Sequence, residues 1–265
     1  MPEGDTVHVA ARRLGRALAG QRLTKTDFRV PGFATSDLSG QVLTEIVARG
    51  KHLLFRTDGG ITLHTHFKME GRWDLHRPGS PWRAKWHHVR AVLETEPWVA
   101  VGSRLGVVEL FPTAEEDRAV GHLGPDPLGP DWDPEEAVRR LVAVGDRPIA
   151  EAILDQTVIA GPGNIYKSEL LFLRGIDPRT PTGDVADLPA LVSLVKRVME
   201  ANRDTGHQVT TGDTRPGRRH WIYGRGGRPC RRCGTVIRSA AGEGGSAADR
   251  VTYWCPSCQP RPGAR

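Results

Sequence analysis

The sequence lacks any long apolar run. No uninterrupted stretch approaches the roughly 18 apolar residues that a membrane-spanning helix requires, which excludes proteins built on such helices. Near the N-terminus, Arg12, Arg13 and Arg16 interrupt the candidate apolar segment, so the pattern is not that of a secretory signal peptide. We therefore expect a cytoplasmic protein with no membrane partner.

Cysteine is scarce, since the 265 residues contain only four. In a reducing cytoplasm, four thiols are better explained as metal ligands than as two disulfides. Cys230 and Cys233 form one Cys-x2-Cys pair. Cys255 and Cys258 form a second pair, after an interval of residues 234–254. Two such pairs supply the four sulfur ligands of a closed tetrahedral site, so the pattern predicts one structural Zn²⁺ ion.

Acidic residues are outnumbered, with 31 Asp and Glu against 37 Lys and Arg, which gives a formal net charge of +6. The pI is near 9.4. A basic protein favours a polyanionic partner such as nucleic acid. Basic proteins with other roles are common, so charge alone leaves both classes open.

Hydrophobic periodicity changes along the first half of the chain. Residues 7–19 carry apolar side chains at helical spacing, with Asp5 or Thr6 as a candidate N-cap. From about 21 to 111, short β-like runs alternate with Gly, Pro and Asp turns. That density of strands is typical of an antiparallel sandwich.

The second half of the chain is predicted to be helical. The Pro- and Gly-rich segment HLGPDPLGPDWD ends at Asp133, which with Pro134 looks like the start of a helix. Helical patterns follow at 134–144, 148–158, 164–174 and 186–203. We therefore predict an α+β multidomain protein. Its predicted parts are a β-sandwich with an N-terminal helix at 2–115, a linker at 116–133, a helical domain at 134–225 and a zinc finger at 226–262.

The start of the chain has unusual chemistry. Proline at position 2 permits removal of the initiator methionine, which exposes a secondary amine. An α-amine has a pKa of about 7.7–8.0 in model peptides, so part of it is neutral and nucleophilic near physiological pH. Glu3 supplies a neighbouring carboxylate for proton transfer. Taken alone, however, this tripeptide is better explained as an ordinary chain start.

Other motifs overturn that explanation. The chain contains, in order, MPEG, ARGKHLLF, HFKMEG, LGPDPL, LDQTVIAGPGNIYKSELLF and DRVTYWCPSC, which together span essentially its whole length. As an ordered set they resemble the formamidopyrimidine-DNA glycosylase and endonuclease VIII family. The resemblance implies a β-sandwich, a helix–two-turns–helix domain and a zinc finger, with DNA bound between the two halves.

The resemblance also implies roles for matching residues. Pro2 matches the nucleophile that attacks the anomeric carbon and forms a Schiff base. Glu3 matches the acid/base residue that helps to open the sugar. Lys51 matches a lysine that contacts the phosphate next to the lesion. Asn164 and Arg250 match residues that hold the same phosphate region.

Two further residues match loops that insert into DNA. Met69 matches the apolar wedge that fills the gap left by a flipped base, and Arg104 matches a basic residue of the second inserting loop. Several positions also have a structural explanation. Met69 could belong to the core, although its charged neighbours favour a wedge; Lys51 could be a solvated strand-end lysine, and Asn164 a helix N-cap.

Departures from the formamidopyrimidine branch point instead to the endonuclease VIII branch. Thr6 stands where the former has a second glutamate, and residues 103–106 keep only one of its two arginines. The segment 207–223 is shorter than the loop that covers oxidised purines in that branch. The interval between the cysteine pairs is longer than usual, which fits an insertion at 240–248. Together these departures favour oxidised pyrimidines as substrates.

The sequence thus predicts a bifunctional DNA glycosylase/AP lyase of base excision repair that cleaves abasic sites by β,δ-elimination. The alternatives are a glycosylase that prefers 8-oxoguanine and formamidopyrimidine, a non-catalytic protein that binds damaged DNA, and an unrelated zinc-ribbon interaction protein. The predicted partner is damaged double-stranded DNA, with single-stranded DNA as a second candidate. We expect a monomer associated with the nucleoid.

Overall fold

A computed structural model describes residues 2–241 and 251–261. The chain divides into two compact units, Met1–His122 and Leu123–Arg265. Within the described ranges, no helix combines the length and the apolar character needed to cross a membrane. Arg250, a predicted DNA-binding residue, lies outside the described residues.

The first unit begins with helix α1, Gly4–Leu18. Its buried face includes Val7 and Leu14, as the helical spacing of apolar residues predicts. The predicted N-caps, Asp5 and Thr6, are wrong because both lie inside the first turn. Glu3 is the N-cap instead, since it is extended and its carbonyl oxygen accepts a hydrogen bond from the Val7 N–H at 3.1 Å.

Eight strands of the first unit form two four-stranded antiparallel sheets, which confirms the predicted sandwich. The strand order is β1-β6-β7-β5 in one sheet and β2-β3-β4-β8 in the other. The strands are β1 Lys25–Phe28, β2 Leu43–Arg49, β3 His52–Thr57, β4 Ile61–His66, β5 Arg72–His76, β6 Val89–Glu94, β7 Val99–Ser103 and β8 Val107–Pro112. A short helix α2, Asp117–Val120, follows β8.

The two sheets and α1 share one hydrophobic core. Phe55 of β3 and Trp73 of β5 face each other across the sandwich, with ring centroids 5.0 Å apart. The Trp73 indole N–H also donates to Thr65 Oγ1 of β4 at 3.3 Å, so the polar end of this buried ring is satisfied. Helix α1, which begins directly after Glu3, packs against both β2 and β3.

Among its described residues, the second unit contains four further α-helices: α3 Pro134–Ala143, α4 Ile149–Leu154, α5 Asn164–Arg174 and α6 Leu188–Asn202. Asp133 caps α3 as predicted, because its side chain accepts a hydrogen bond from the Glu136 N–H at 2.9 Å. Helix α4 is shorter than predicted. Asp155 Oδ1 accepts hydrogen bonds from the backbone N–H and hydroxyl of Thr157, and this turn replaces a further helical turn.

The cysteine-rich end of the second unit carries a small antiparallel hairpin. Its strands are β9, Arg238–Ala240, and β10, Thr252–Trp254, and Tyr253 pairs with Ser239. Strand β10 ends directly before Cys255, the first cysteine of the second pair. It packs against α5, which links the hairpin to the helical core of the unit.

Replacing Leu14 with alanine should lower the free energy of unfolding by about 2–5 kcal/mol, since its fully buried side chain packs in the core shared by α1 and the sheets. Urea denaturation measures this change. The control is Arg16→Ala on an exposed position of the same helix, with an expected change of about 0.5 kcal/mol or less. Equal losses in the two variants would contradict the anchoring of α1.

Candidate active site

The predicted catalytic pair lies where the chain enters α1. Pro2 is partly exposed, whereas Glu3 is 0% exposed. As the N-cap of α1, Glu3 has its backbone fixed by the first helical turn. A buried carboxylate directly next to a partly exposed chain-start proline is suited to proton transfer at the atom that the proline attacks.

Lys51 lies in the tight turn between β2 and β3. Because Arg49 pairs with His52 in the register, the turn itself consists of Gly50 and Lys51. Gly50 has a φ of +56°, a backbone angle that glycine adopts most easily. Since α1 packs on both strands of this hairpin, the chain start and the Lys51 turn belong to one packed block.

A row of histidines adjoins this turn, and the sequence analysis missed it. His52 Nδ1 lies 2.8 Å from His64 Nε2, and His64 Nδ1 lies 3.0 Å from Glu109 Oε2. His66 pairs with His52 across β3 and β4, with ring centroids 4.9 Å apart. The alternation of His64 and His66 along one strand was a signal that they share a face. Their proximity to His52, however, depends on the register.

These imidazoles stay uncharged at neutral pH. Burial, reinforced by the neighbouring imidazoles of His66, His64 and His122 and by the charge of Lys68, lowers the pKa of His52 to about 3. Burial, together with the charges of Lys68 and Lys51, lowers the pKa of His66 to about 4. The positive charge of Lys51 therefore lies beside neutral imidazole rings, which do not repel it.

Met69 and Arg104 lie on two turns that contact each other. Met69 is 44% exposed, so the core interpretation of this residue is wrong. Arg104 donates a hydrogen bond to Glu70, next to Met69. Lys68 and Arg104 both have left-handed φ values, of +52° and +50°, and such strain concentrates at ligand-binding positions. A Cβ on Gly71 would lie 2.5 Å from the Phe67 carbonyl oxygen and 3.0 Å from that of Arg104, so the turn requires glycine where it approaches Arg104.

Asn164 is the first residue of α5, and the N-cap interpretation is wrong because Gly163 has that position. The Asn164 side-chain amide donates to the Val251 carbonyl oxygen at 3.0 Å. Its buried Oδ1 has no hydrogen-bond partner among the residues that the structure describes. One turn later, Lys167 Nζ donates to Thr252 Oγ1 at 2.8 Å. The start of α5 therefore holds the backbone directly after Arg250.

Glu169 is a second polar residue that the sequence analysis missed. Its side chain is fully buried and accepts hydrogen bonds from the backbone N–H groups of three consecutive residues, Trp221, Ile222 and Tyr223, at 2.8–2.9 Å. It also accepts a hydrogen bond from the Thr210 hydroxyl. The carboxylate therefore ties both ends of the segment 210–221 to α5. The available signal was a charged residue directly before the apolar run 170–173 of this helix.

The four cysteines converge. Their Sγ atoms all lie within 4.8 Å of one another, and none of the four forms a disulfide. The Cys230–Cys258 and Cys233–Cys255 sulfur pairs are 4.0 and 3.5 Å apart. Tetrahedral ligands at a Zn–S distance of about 2.3 Å would lie about 3.8 Å apart. The side chains therefore fit a four-coordinate metal ion.

Comparison with known proteins places this geometry in a family. The formamidopyrimidine-DNA glycosylase N-terminal domain matches residues 1–105, and the formamidopyrimidine-DNA glycosylase H2TH domain matches residues 123–212. The chain belongs to the formamidopyrimidine-DNA glycosylase family. The matched ranges cover most of both units, so the family predicted from the ordered motifs is confirmed.

Relatives within the formamidopyrimidine-DNA glycosylase family identify the branch. The chain is 52% identical to the probable endonuclease 8 2 of Streptomyces coelicolor, over 100% of this chain and 98% of that protein. It is 48% identical to the DNA-(apurinic or apyrimidinic site) lyase Nei2 of Mycolicibacterium smegmatis, over 98% and 99%. Identity to the formamidopyrimidine-DNA glycosylase of Rhizorhabdus wittichii is 34%, over 98% and 100%. The predicted endonuclease VIII branch is therefore confirmed.

Solved structures of the formamidopyrimidine-DNA glycosylase family share the fold. One is Lactococcus lactis Fpg (MutM) in complex with DNA that contains N7-benzyl-Fapy-dG, with a TM-score of 0.82 and 25% identity over 98% of this chain and 100% of that chain. Another is Lactococcus lactis Fpg with abasic-site DNA, at a TM-score of 0.80 with the same identity and coverage. The predicted fold class is confirmed.

The histidine row should make stability depend on pH. The pKa of His52 is lower in the folded than in the unfolded chain, so the unfolded chain takes up the proton first as the pH falls below about 6.5. Between pH 7 and 5 the wild type should lose on the order of 1 kcal/mol more stability than His52→Gln. Urea denaturation at both pH values measures the difference. His87→Gln, at an exposed position, should behave like the wild type; equal pH dependence in His52→Gln would contradict the assignment.

Proposed function

We propose that this protein removes oxidised bases from DNA, pyrimidines in preference to purines, and then cleaves the abasic site. The observation that carries the proposal is the packed block of α1 and the β2–β3 hairpin, which holds Pro2, buried Glu3 and Lys51 within one unit. Membership of the glycosylase family and the lyase name of the Mycolicibacterium smegmatis relative support the same reaction class.

Pro2 acts as the nucleophile once the initiator methionine has been removed. The nitrogen lone pair attacks the anomeric carbon of the damaged nucleotide, and the bond to the base breaks. The resulting iminium draws electrons from the sugar and makes the C2′ proton acidic. Loss of that proton breaks the C3′–O bond, which is β-elimination, and a further δ-elimination breaks the C5′–O bond.

Glu3 moves protons during this sequence. A carboxylate next to the nucleophile can protonate the ring oxygen as the sugar opens. Its complete burial and its place at the helix N-cap support this role, because both limit the side chain to one location. The late δ-elimination takes place without the second carboxylate, since Thr6 occupies that position.

Three residues hold the phosphate backbone beside the lesion: Lys51, Asn164 and Arg250. Lys51 is supported by its position in the tight hairpin turn, and Asn164 by its place at the N-terminus of α5, where helix dipole and side-chain amide both favour phosphate. Arg250 lies outside the described residues. The Asn164–Val251 hydrogen bond supports its assignment, because it holds the next residue of the chain beside α5.

Met69 and Arg104 enter the space left by the extruded nucleotide. The exposure of Met69 and the contact between its turn and that of Arg104 support this role. The bound nucleotide is out of the base stack when Pro2 attacks it, so a side chain must fill the gap in the duplex. An exposed methionine can fill that gap through dispersion contacts with the flanking bases.

One Zn²⁺ ion is the metal that we assign to Cys230, Cys233, Cys255 and Cys258. Four thiolates with the observed separations fit zinc, and they leave no open coordination position for catalysis. When bound, the ion cross-links the two cysteine pairs and so stabilises the β9–β10 hairpin. Strand β10 of that hairpin contacts α5. Arg250, which we assign to the phosphate, precedes this strand in the sequence.

The preference for pyrimidines is supported by the endonuclease VIII relatives and by the short segment 207–223, held to α5 by Glu169. The DNA substrate implies action in the cytoplasm on nucleoid DNA. A monomer suffices for the reaction, because every residue assigned a role comes from this one chain.

Pro2→Gly should lose most of the lyase activity, since the secondary amine that forms the iminium is gone. Glu3→Gln should slow base excision by roughly 100-fold or more and retain the affinity for DNA. Borohydride trapping on oligonucleotides with thymine glycol, 8-oxoguanine or an abasic site measures the covalent intermediate. Intact mass establishes that the initiator methionine is absent. A processed wild-type protein that binds these DNAs but gives no adduct would favour a non-catalytic damage-binding protein.

The purified protein should contain one zinc ion per chain, measured by native mass spectrometry. Cys230→Ser should abolish metal binding and reduce the affinity for damaged DNA by at least about tenfold, because the hairpin loses its cross-link. The first unit should keep its stability, since the cysteines belong to the second. A different metal, or full DNA affinity after metal loss, would contradict the structural zinc assignment.

A further inference from the structure

The loop between β5 and β6, residues 77–88, is a prominent feature of the first unit that the reaction above does not use. It contains Trp82 and Trp86 together with several basic side chains, and it ends in one turn of 3₁₀-helix, Trp86–His88. Two tryptophans in a basic surface loop are unusual in a chain in which aromatic residues make up 6%.

A cationic cavity of about 260 Å³ opens beside this loop. Two of its positive side chains come from the loop itself, and the others come from β5 and from the turn after β7. The side chains that define its charge are Arg72, Arg83, Lys85, Arg104 and Glu70. Positive charge therefore predominates, which favours an anionic ligand.

Two of these cations are available for a ligand. Arg72 forms an ion pair with Asp74 at 2.8 Å, and Arg104 pairs with Glu70. Arg83 and Lys85, by contrast, have no ion-pair partner within the described part of the chain, and both are exposed. A phosphate group is the anion that a surface arginine and lysine most readily bind.

Trp86 provides a flat apolar surface next to these cations. It is 70% exposed. The Arg29 guanidinium carbon lies 3.5 Å from the centroid of its ring, and the ring of Trp82 is within 9° of parallel at a centroid distance of 6.1 Å. Arg29 is held by Asp27 through hydrogen bonds of 2.7–2.8 Å. The indole is therefore braced from within the protein while most of its surface faces solvent.

We propose that the β5–β6 loop binds single-stranded DNA, with an unpaired base stacked on Trp86 and a neighbouring phosphate at Arg83 and Lys85. Cations beside an exposed aromatic ring are the combination by which proteins bind single strands without reading their sequence. An exposed tryptophan alone would also suit a protein partner. The cationic cavity favours a polyanion with flat aromatic groups. The inference rests on the proposed function, because the strand would be an unpaired flank of the lesion-containing DNA.

The stacking part is tested by fluorescence anisotropy on three DNAs. All contain the same uncleavable abasic-site analogue in a duplex; one is blunt, and the other two carry a single-stranded extension of about ten nucleotides, one on the 5′ side and one on the 3′ side. The wild type should bind one of the extended DNAs more tightly than the blunt duplex. Trp86→Ala should lose about tenfold in affinity for that DNA and bind the blunt duplex unchanged. Trp86→Phe should retain most of the added affinity.

The phosphate part is tested by salt dependence on the same extended DNA. Arg83→Ala and Lys85→Ala should each reduce the slope of log K against log salt concentration by up to roughly 0.7, the value for one lost phosphate contact on a single strand. The control is Lys25→Ala, which removes the same charge from an exposed lysine of β1 outside the loop and should leave the slope unchanged. A change in slope equal to that of the control would overturn the phosphate contact.

Equal losses of Trp86→Ala on blunt and extended DNA, or no loss on either, would overturn the proposal; the second result would leave a protein partner as the better explanation of the loop. Borohydride trapping on a blunt duplex of the same sequence that contains a natural abasic site instead of the analogue separates this failure from failure of the proposed function. If the wild type is trapped but Trp86→Ala has no effect on binding, only the proposed role of the loop is rejected. If binding depends on the single-stranded extension but no adduct is trapped, the catalytic assignment is rejected and single-strand binding by the loop is retained.

Discussion

The packing of α1 against the β2–β3 hairpin is the contact on which the catalytic half depends. The nucleophile is at the end of the chain, where backbone freedom is normally greatest and a fixed geometry is hardest to maintain. Here the helix begins one residue after Glu3, and its buried face is held in the sandwich core. The chain end is thus positioned by a helix that is anchored in the hydrophobic core, and the Lys51 turn belongs to the hairpin on which that helix packs.

Helix α5 has the corresponding role in the second unit. Nearly all of it is buried, yet it contains Asn164, Lys167 and Glu169, three polar residues that an ordinary core helix would avoid. Asn164 and Lys167 donate hydrogen bonds to Val251 and Thr252, at the start of β10. Glu169 accepts hydrogen bonds from the backbone N–H groups of residues 221–223. Breaking one of these buried hydrogen bonds would leave a polar group unsatisfied, which is costly. Helix α5 therefore fixes the positions of both the start of β10 and the segment 221–223.

Much of the fold was predictable because its signals are local. The Asp133 cap, the first-turn proline and the cysteine pairs each act within a few residues, and all were found where the pattern placed them. The histidine row and the Glu169 acceptor were missed because they depend on strand register and on contacts between distant segments. The start of α1 was misplaced for a related reason: burial of the first turn in tertiary structure outweighs the capping preference of Asp5.

The bonds of Glu169 have a consequence for how such a protein can change over evolution. Thr210 and Trp221 are fixed to the same carboxylate, and the Thr210 N–H also bonds to the Arg219 carbonyl oxygen. The residues between them form a closed loop whose ends stay in place whatever its length. Doubling the length of such a loop costs only about 0.6 kcal/mol in closure entropy. Insertions there could alter which damaged base is covered, while the helix, the finger and the chemistry at the chain start remain the same.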